Sequence, residues 1–297
     1  MSTALVERTP AAGSERSWWA MLRATVQGWS DDRAASMGAA LSFYTFFSMA
    51  PLLLIVLSVA GLLLGREAAQ GHLMNELAGL VGRDAAATIE SLLASVREPA
   101  DSAWATLVGL VTMLVGATTV FAELQDALDR IWESPDIRTR GGLWAVLRAR
   151  VLSFGLILGL AFLLMVSLVF GAVVTALSQW WSGLFTAWAW LAQGLNLVVG
   201  FGLTAVIFAM IYKLMPRARV QWRDVWIGSL VTAVLFSVGK LLIGLYLGAS
   251  GVASAYGAAG SIVVVLLWVY YSAQVFLLGA EFTWVYARTR GSRQVSA

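Results

Sequence analysis

The stretch Val151–Tyr212, VLSFGLILGLAFLLMVSLVFGAVVTALSQWWSGLFTAWAWLAQGLNLVVGFGLTAVIFAMIY, contains no Asp, Glu, Lys or Arg. As a single helix rising about 1.5 Å per residue it would be roughly three bilayer cores long. It therefore has to turn back on itself. The expected turn is 178–195, where Trp180, Trp181, Trp188 and Trp190 gather as tryptophans do at a membrane–water boundary. That leaves one span over 151–177 and a second over 196–214, the latter closed by Pro216, which has no N–H to donate.

The rest of the chain agrees with lipid as the main solvent. The chain has 297 residues, of which 59% are hydrophobic and 12% charged. Soluble domains carry roughly twice that share of charge. The mean hydropathy is +0.78. Further spans are expected at about 37–64, 104–122, 225–248 and 261–286, giving an all-α, polytopic bundle of six transmembrane helices. Pro51 lies within the first span and is expected to kink it. Residues 1–14 read as a disordered tail, 15–288 as the membrane domain and 289–297 as a C-terminal tail. Residues 1–30 hold no apolar core long enough for a signal peptide, so the first hydrophobic segment is expected to remain as a span.

Two regions read as short amphipathic helices. In 15–30, Trp18, Leu22, Val26 and Trp29 share one face, with Arg16, Arg23 and Gln27 around the other, a pattern suited to a membrane interface. Within 66–103, Leu73, Leu77, Leu80 and Val81 make one apolar stripe and Ile89, Leu92, Leu93 and Val96 another, expected to rest on the outer surface.

Counting Arg and Lys sets the orientation. With the N-terminus inside, the inner segments hold positions 8, 16, 23 and 33, then 130, 138, 140, 148 and 150, then 213, 217, 219 and 223, then 288, 290 and 293. The outer segments hold only Arg66, Arg83 and Arg97, and Lys240 falls inside a span. Both termini are thereby expected in the cytoplasm. The same placement explains a pI of 9.4 without nucleic acid, because the cations border the membrane and would attract anionic lipid headgroups. There are no cysteines and one histidine, His72. Disulfides, thiolate metal sites and two-histidine devices are excluded. No nucleotide-binding loop, nucleophile elbow or zinc-protease motif occurs, and no cofactor or metal is expected.

Three stretches carry a family resemblance: Gly38–Leu54 (GAALSFYTFFSMAPLLL), Phe121–Trp132 (FAELQDALDRIW) and Gly239–Thr283 (GKLLIGLYLGASGVASAYGAAGSIVVVLLWVYYSAQVFLLGAEFT). Together they resemble the YihY/BrkB family of bacterial inner-membrane proteins, once labelled "ribonuclease BN". The resemblance covers roughly residues 20–288. It implies six spans, the bacterial cytoplasmic membrane and an association with the cell envelope, but no defined reaction. One departure is that the family usually reads LNRIW where this chain has Leu128-Asp129-Arg130-Ile131-Trp132.

Candidate site residues follow from polar groups at lipid depth. Lys240 sits in the outer half of the fifth span, where an ammonium costs a few kcal/mol on insertion scales. It reads either as a binding group for a phosphate or carboxylate on an amphiphile, or as a side chain snorkelling to the interface. Glu281, near the inner end of the sixth span, lies at a different depth from Lys240. It reads as an ion-pair partner of Arg33, Arg130 or Arg217, or as a proton-coupling carboxylate. Tyr270 and Gln274 share a face one turn apart in the same span, and Tyr256 lies in the Gly-rich link 248–260. These five would line a substrate path. Glu123, Asp126 and Asp129, with Glu133, form an acidic helix face, read as a solvated surface or as a divalent-metal site. The Gly61/Gly65, Gly155/Gly159 and Gly244/Gly248 pairs allow close helix approach.

The leading functional expectation is transport or flipping of a lipid or amphiphilic anion. The alternative is a non-transporting scaffold or assembly partner in envelope biogenesis. A ribonuclease is disfavoured, since the inner acids lack a matching histidine.

Overall fold

The computed structural model describes residues 17–81, 86–91, 93, 119–134, 186–218, 220–249 and 260–293. Within these the chain is helical, with no strand. In order come α1 (Trp18–Asp31), α2 (Ala34–Leu64) and α3 (Arg66–Val81). A short helical segment at 86–91 follows, then α4 over 119–131. The series ends with α5 (Thr186–Leu214), α6 (Trp222–Ala249) and α7 (Gly260–Thr289). Three of the described helices are long and apolar enough to cross a membrane, within Leu197–Leu214, Trp222–Ile243 and Ile262–Thr289. The spans expected at 104–122 and 151–177, the Gly-rich link with Tyr256, and the tail 1–14 lie largely or wholly outside the described residues.

Boundaries follow local chemistry. Ser17 caps α1, its hydroxyl accepting from the Trp19 N–H at 3.3 Å. The corner between α1 and α2 is made by Arg33 in the left-handed region, φ 55°. Helix α2 runs on through Pro51 to Leu64 and stops at Gly65, φ 82°. Gly65 is therefore a helix terminator, and a Cβ placed there would meet no neighbour among the described residues. Helix α5 departs from expectation at its start. It begins at Thr186, well inside the proposed 178–195 turn. Tryptophan marks the depth of an interface but does not end a helix, and no proline interrupts 186–214.

Helix α7 is the hub and is the most buried of the three span-length helices. It packs against α6, α2 and α1, while α5 packs on α6. Two cores result. One joins Met21, Leu41, Leu128, Trp132, Tyr212, Val225, Leu277 and Tyr286. The other joins Leu57, Ala69, Ile89, Leu93, Val264, Val265 and Val269. Leu73 and Leu77 of α3 pack against this second core, so the amphipathic 66–93 region covers the end of α2 and α7 opposite α1. Gln70 also donates to Glu90 at 3.2 Å, tying α3 to the helical segment at 86–91. Helix α1 buries Met21, Thr25 and Gly28 and turns Trp18, Trp19, Leu22 and Val26 outward as an exposed apolar stripe, with Arg290 over the Trp18 ring at 4.6 Å.

Candidate functional site

Among the described residues, α6 and α7 cross in antiparallel fashion at very close range. A Cβ at Gly228 would collide with Thr283, one at Gly279 with Thr232, and one at Gly239 with Tyr271. Small residues four apart on each helix, Gly228/Thr232 and Gly279/Thr283, let the two backbones approach. Both threonine hydroxyls bond back to their own helix, Thr232 to the Gly228 carbonyl at 2.7 Å and Thr283 to the Gly279 carbonyl at 2.6 Å. Tyr212 of α5 completes this fully buried knot. Its hydroxyl donates to the Phe276 carbonyl at 2.7 Å and lies 3.1 Å from Thr232 Oγ1.

This register fixes the relative depths of the polar residues on α6 and α7. Gly228 faces Thr283 and Gly239 faces Tyr271, so Glu281 lies level with about Leu230. Lys240 is then about 15 Å further along by helical rise. Glu281 and Lys240 are not brought together. Glu281 is buried, 1% exposed, under Gly28 of α1, where an added Cβ would meet its Oε2 at 2.7 Å. Of the arginines matched to it from sequence, Arg217 pairs with Asp129 instead. Gln274, half-buried, reaches the Ala34 and Ala35 carbonyls at 3.5 and 3.4 Å, long bonds that tie α7 to the start of α2. Tyr270 is half-buried on the same helix. Lys240 is exposed on α6, and the nearby exposed residues Val238, Leu241, Leu242 and Leu245 project from other sides of the same helix.

The end of the bundle that carries α1 and the last turn of α7 gathers most of the described cations, and we call it the basic end. Three of its acids, Asp129, Glu133 and Asp224, have partners within the described residues. Asp129 accepts from the Arg217 backbone N–H at 2.7 Å and pairs with its guanidinium at 3.4 Å. Glu133 pairs with Arg288 at 2.7 Å, and Arg288 lies over the Trp284 ring at 4.2 Å. Asp224, fully buried in the first turn of α6, accepts from the Ser292 N–H and hydroxyl and so fastens the end of α7. Glu123 and Asp126 are half-buried on α4. Among the described residues no three His, Asp or Glu side chains converge as a metal site. Asp129, which departs from the resembled motif, thus holds the loop after α5 against α4.

At the same end, the turn between α5 and α6 encloses an open cavity of about 680 Å³ lined by Lys213, Ala218, Val220, Gln221, Trp222 and Arg223. Lys213 donates to the Val220 carbonyl, and its ammonium lies 5.5 Å from the centre of the Trp222 ring.

The family model for "Virulence factor BrkB" matches residues 25–297. Curated relatives are named as UPF0761 membrane proteins. The one from Pseudomonas paraeruginosa is 29% identical over 84% of this chain and 58% of its own. That from Acinetobacter baylyi is 24% identical over 91% of this chain and 62% of its own. That from Cronobacter sakazakii is 32% identical over 66% of this chain and 65% of its own. The chain thus spans less than two thirds of the length of each of these relatives. No solved structure matches it.

Proposed function

We propose, for a chain that belongs to the virulence factor BrkB family of membrane proteins, a role in moving a lipid or other amphiphilic anion across the bacterial inner membrane. The observation that carries this reading is the position of Lys240. It is an exposed ammonium on a span-length helix, in a stretch where the other exposed residues, Val238, Leu241, Leu242 and Leu245, are all apolar. A cation there is open sideways to lipid. It suits a ligand that arrives through the bilayer with an anionic headgroup and an apolar tail, in preference to a free hydrophilic solute. The architecture that goes with the role is six spans with both termini in the cytoplasm, supported by the bias of Arg and Lys toward the basic end. No catalytic step is assigned. The engagement of Asp129 by Arg217 and of Glu133 by Arg288 favours a structural part for these acids.

The test is movement of a fluorescent phosphatidylglycerol in liposomes reconstituted with wild-type protein and with Lys240→Met. Movement by wild type, lost in the variant while folding is retained, is the expected result. Folded wild-type protein that moves no anionic lipid would overturn the proposal and leave the scaffold reading in its place.

A further inference from the structure

We infer that the cavity between α5 and α6 is a binding site for the phosphate of an anionic membrane lipid, with the lipid's acyl chain lying along the exposed face of α6. The inference stands apart from any transport role, because it concerns a resident lipid at the basic end and does not involve Lys240.

Charge is the first ground. Arg217 and Arg288 each have a carboxylate partner. Lys213 and Arg223, both lining the cavity, have none among the described residues. The acid nearest in sequence, Asp224, is fully buried and is taken up by Ser292. Among the described residues these two cations face one cleft without a carboxylate partner, Lys213 being held toward it by the Val220 carbonyl and the Trp222 ring, an arrangement that suits an anion from outside the chain.

Depth is the second ground, and it selects a lipid over a free ion. Lys213 lies in the last turn of α5, and Trp222 and Arg223 open α6. Both helices are of span length and character, so the cavity sits where the apolar part of each helix ends. Trp222 is 49% exposed there, as tryptophans at the headgroup level are. From the cavity an apolar stripe runs along α6 through the exposed Trp226, Leu230 and Val234, one turn apart, a track for an acyl chain.

The third ground is size. A cleft of about 680 Å³ lies within the roughly 300–1,000 Å³ of small-ligand sites. Gln221 adds a neutral donor to the two cations, so the site offers hydrogen bonds as well as charge.

The test uses full-length protein in nanodiscs that contain a photo-crosslinking phosphatidylglycerol, with the diazirine on the acyl chain, or the matching phosphatidylcholine. Adducts are mapped by peptide mass spectrometry. Each cation near a headgroup is expected to favour the anionic lipid about fivefold. Phosphatidylglycerol adducts on the α6 peptide bearing Trp226 and Leu230 should therefore exceed phosphatidylcholine adducts by roughly 25-fold in wild type. In Lys213→Gln/Arg223→Gln that preference should fall to near one, while Arg23→Gln, an exposed cation elsewhere, keeps it. Arg223→Gln alone, at an exposed position, should lose about fivefold and carries the test if the double variant misfolds. Equal labelling by the two lipids, or a preference unchanged in the variants, would overturn the inference. So would displacement of the lipid by millimolar inorganic phosphate, which would make this a small-anion site.

Discussion

One substitution, Gly→Ala, should have opposite effects at two positions in the bundle. At Gly202 in α5, an added Cβ meets nothing within 4 Å. Alanine there should gain helix propensity of about 1 kcal/mol. At Gly279 in α7, the same methyl collides with Thr232 Oγ1 and comes within 2.7 Å of the Tyr212 hydroxyl and 2.9 Å of Thr232 Cβ. Neither neighbour can give way cheaply. Thr232 is bonded to the Gly228 carbonyl and Tyr212 to the Phe276 carbonyl, both at 2.7 Å. Overpacking of this kind costs about 1–3 kcal/mol. With both neighbours held, the upper half of that range applies, and after the propensity gain a net loss of roughly 1–2 kcal/mol remains. Thermal unfolding of purified protein in detergent, followed by tryptophan fluorescence, should separate Gly202→Ala from Gly279→Ala by about 5 °C. Thr232→Ala, added to Gly279→Ala, should recover at least about half of the loss, because the two residues share one space. Equal midpoints for the two single alanines, or no coupling with Thr232, would refute the α6–α7 crossing described above.

Other outcomes follow from the buried network and the basic end. Tyr212→Phe removes one buried hydroxyl bond and should lower stability by about 1 kcal/mol in the same melt. Asp224→Ala strips the buried acceptor from Ser292 and should cost about 1–3 kcal/mol, with Asp224→Asn nearer the low end, read as a lower midpoint and faster proteolysis at the C-terminus. Asp129→Asn should be mild, under about 1 kcal/mol, since an amide oxygen still accepts from the Arg217 N–H and the ion pair is partly exposed; Asp129→Ala should be worse. Glu133→Ala should leave the midpoint within about 0.5 kcal/mol, as the pair with Arg288 lies at the surface.

Much of this arrangement was legible in the residues. Apolar runs, charge-free through α2 and broken only by Lys240 within α6 and by Glu281 within α7, point to helices in these regions, and the described chain is helical there. Trp188 and Trp190 lie inside α5, which begins at Thr186 within the stretch 178–195 where a turn is expected, because tryptophan marks a depth and not a helix end. Glu281 and Gln274 stood out because a polar side chain in an apolar run is costly and so conspicuous. The knot of Tyr212, Thr232 and Thr283 did not stand out. Threonine and tyrosine are tolerated in lipid when they bond to a helix carbonyl, so they raise no local signal. Their partners lie on other helices, beyond the reach of any periodicity. GxxxG pairs do not mark this crossing for a related reason, since Gly228/Thr232 and Gly279/Thr283 put a threonine where the motif asks for a second glycine. The counter-ion of Arg217 was equally unreadable, because several acids and arginines end at one boundary and only packing decides which meet.

In the orientation we propose, the basic end of the bundle faces the cytoplasm and the far end, with α3, faces outward. The chain has no cysteine, so single introduced thiols report without background. Glu67→Cys marks the start of α3 and Ser30→Cys the last turn of α1 at the basic end, both at exposed positions. In right-side-out spheroplasts a membrane-impermeant maleimide should label Glu67→Cys at once and reach Ser30→Cys only after the membrane is permeabilised. Labelling of Ser30→Cys in intact spheroplasts, with Glu67→Cys protected, would contradict the proposed orientation.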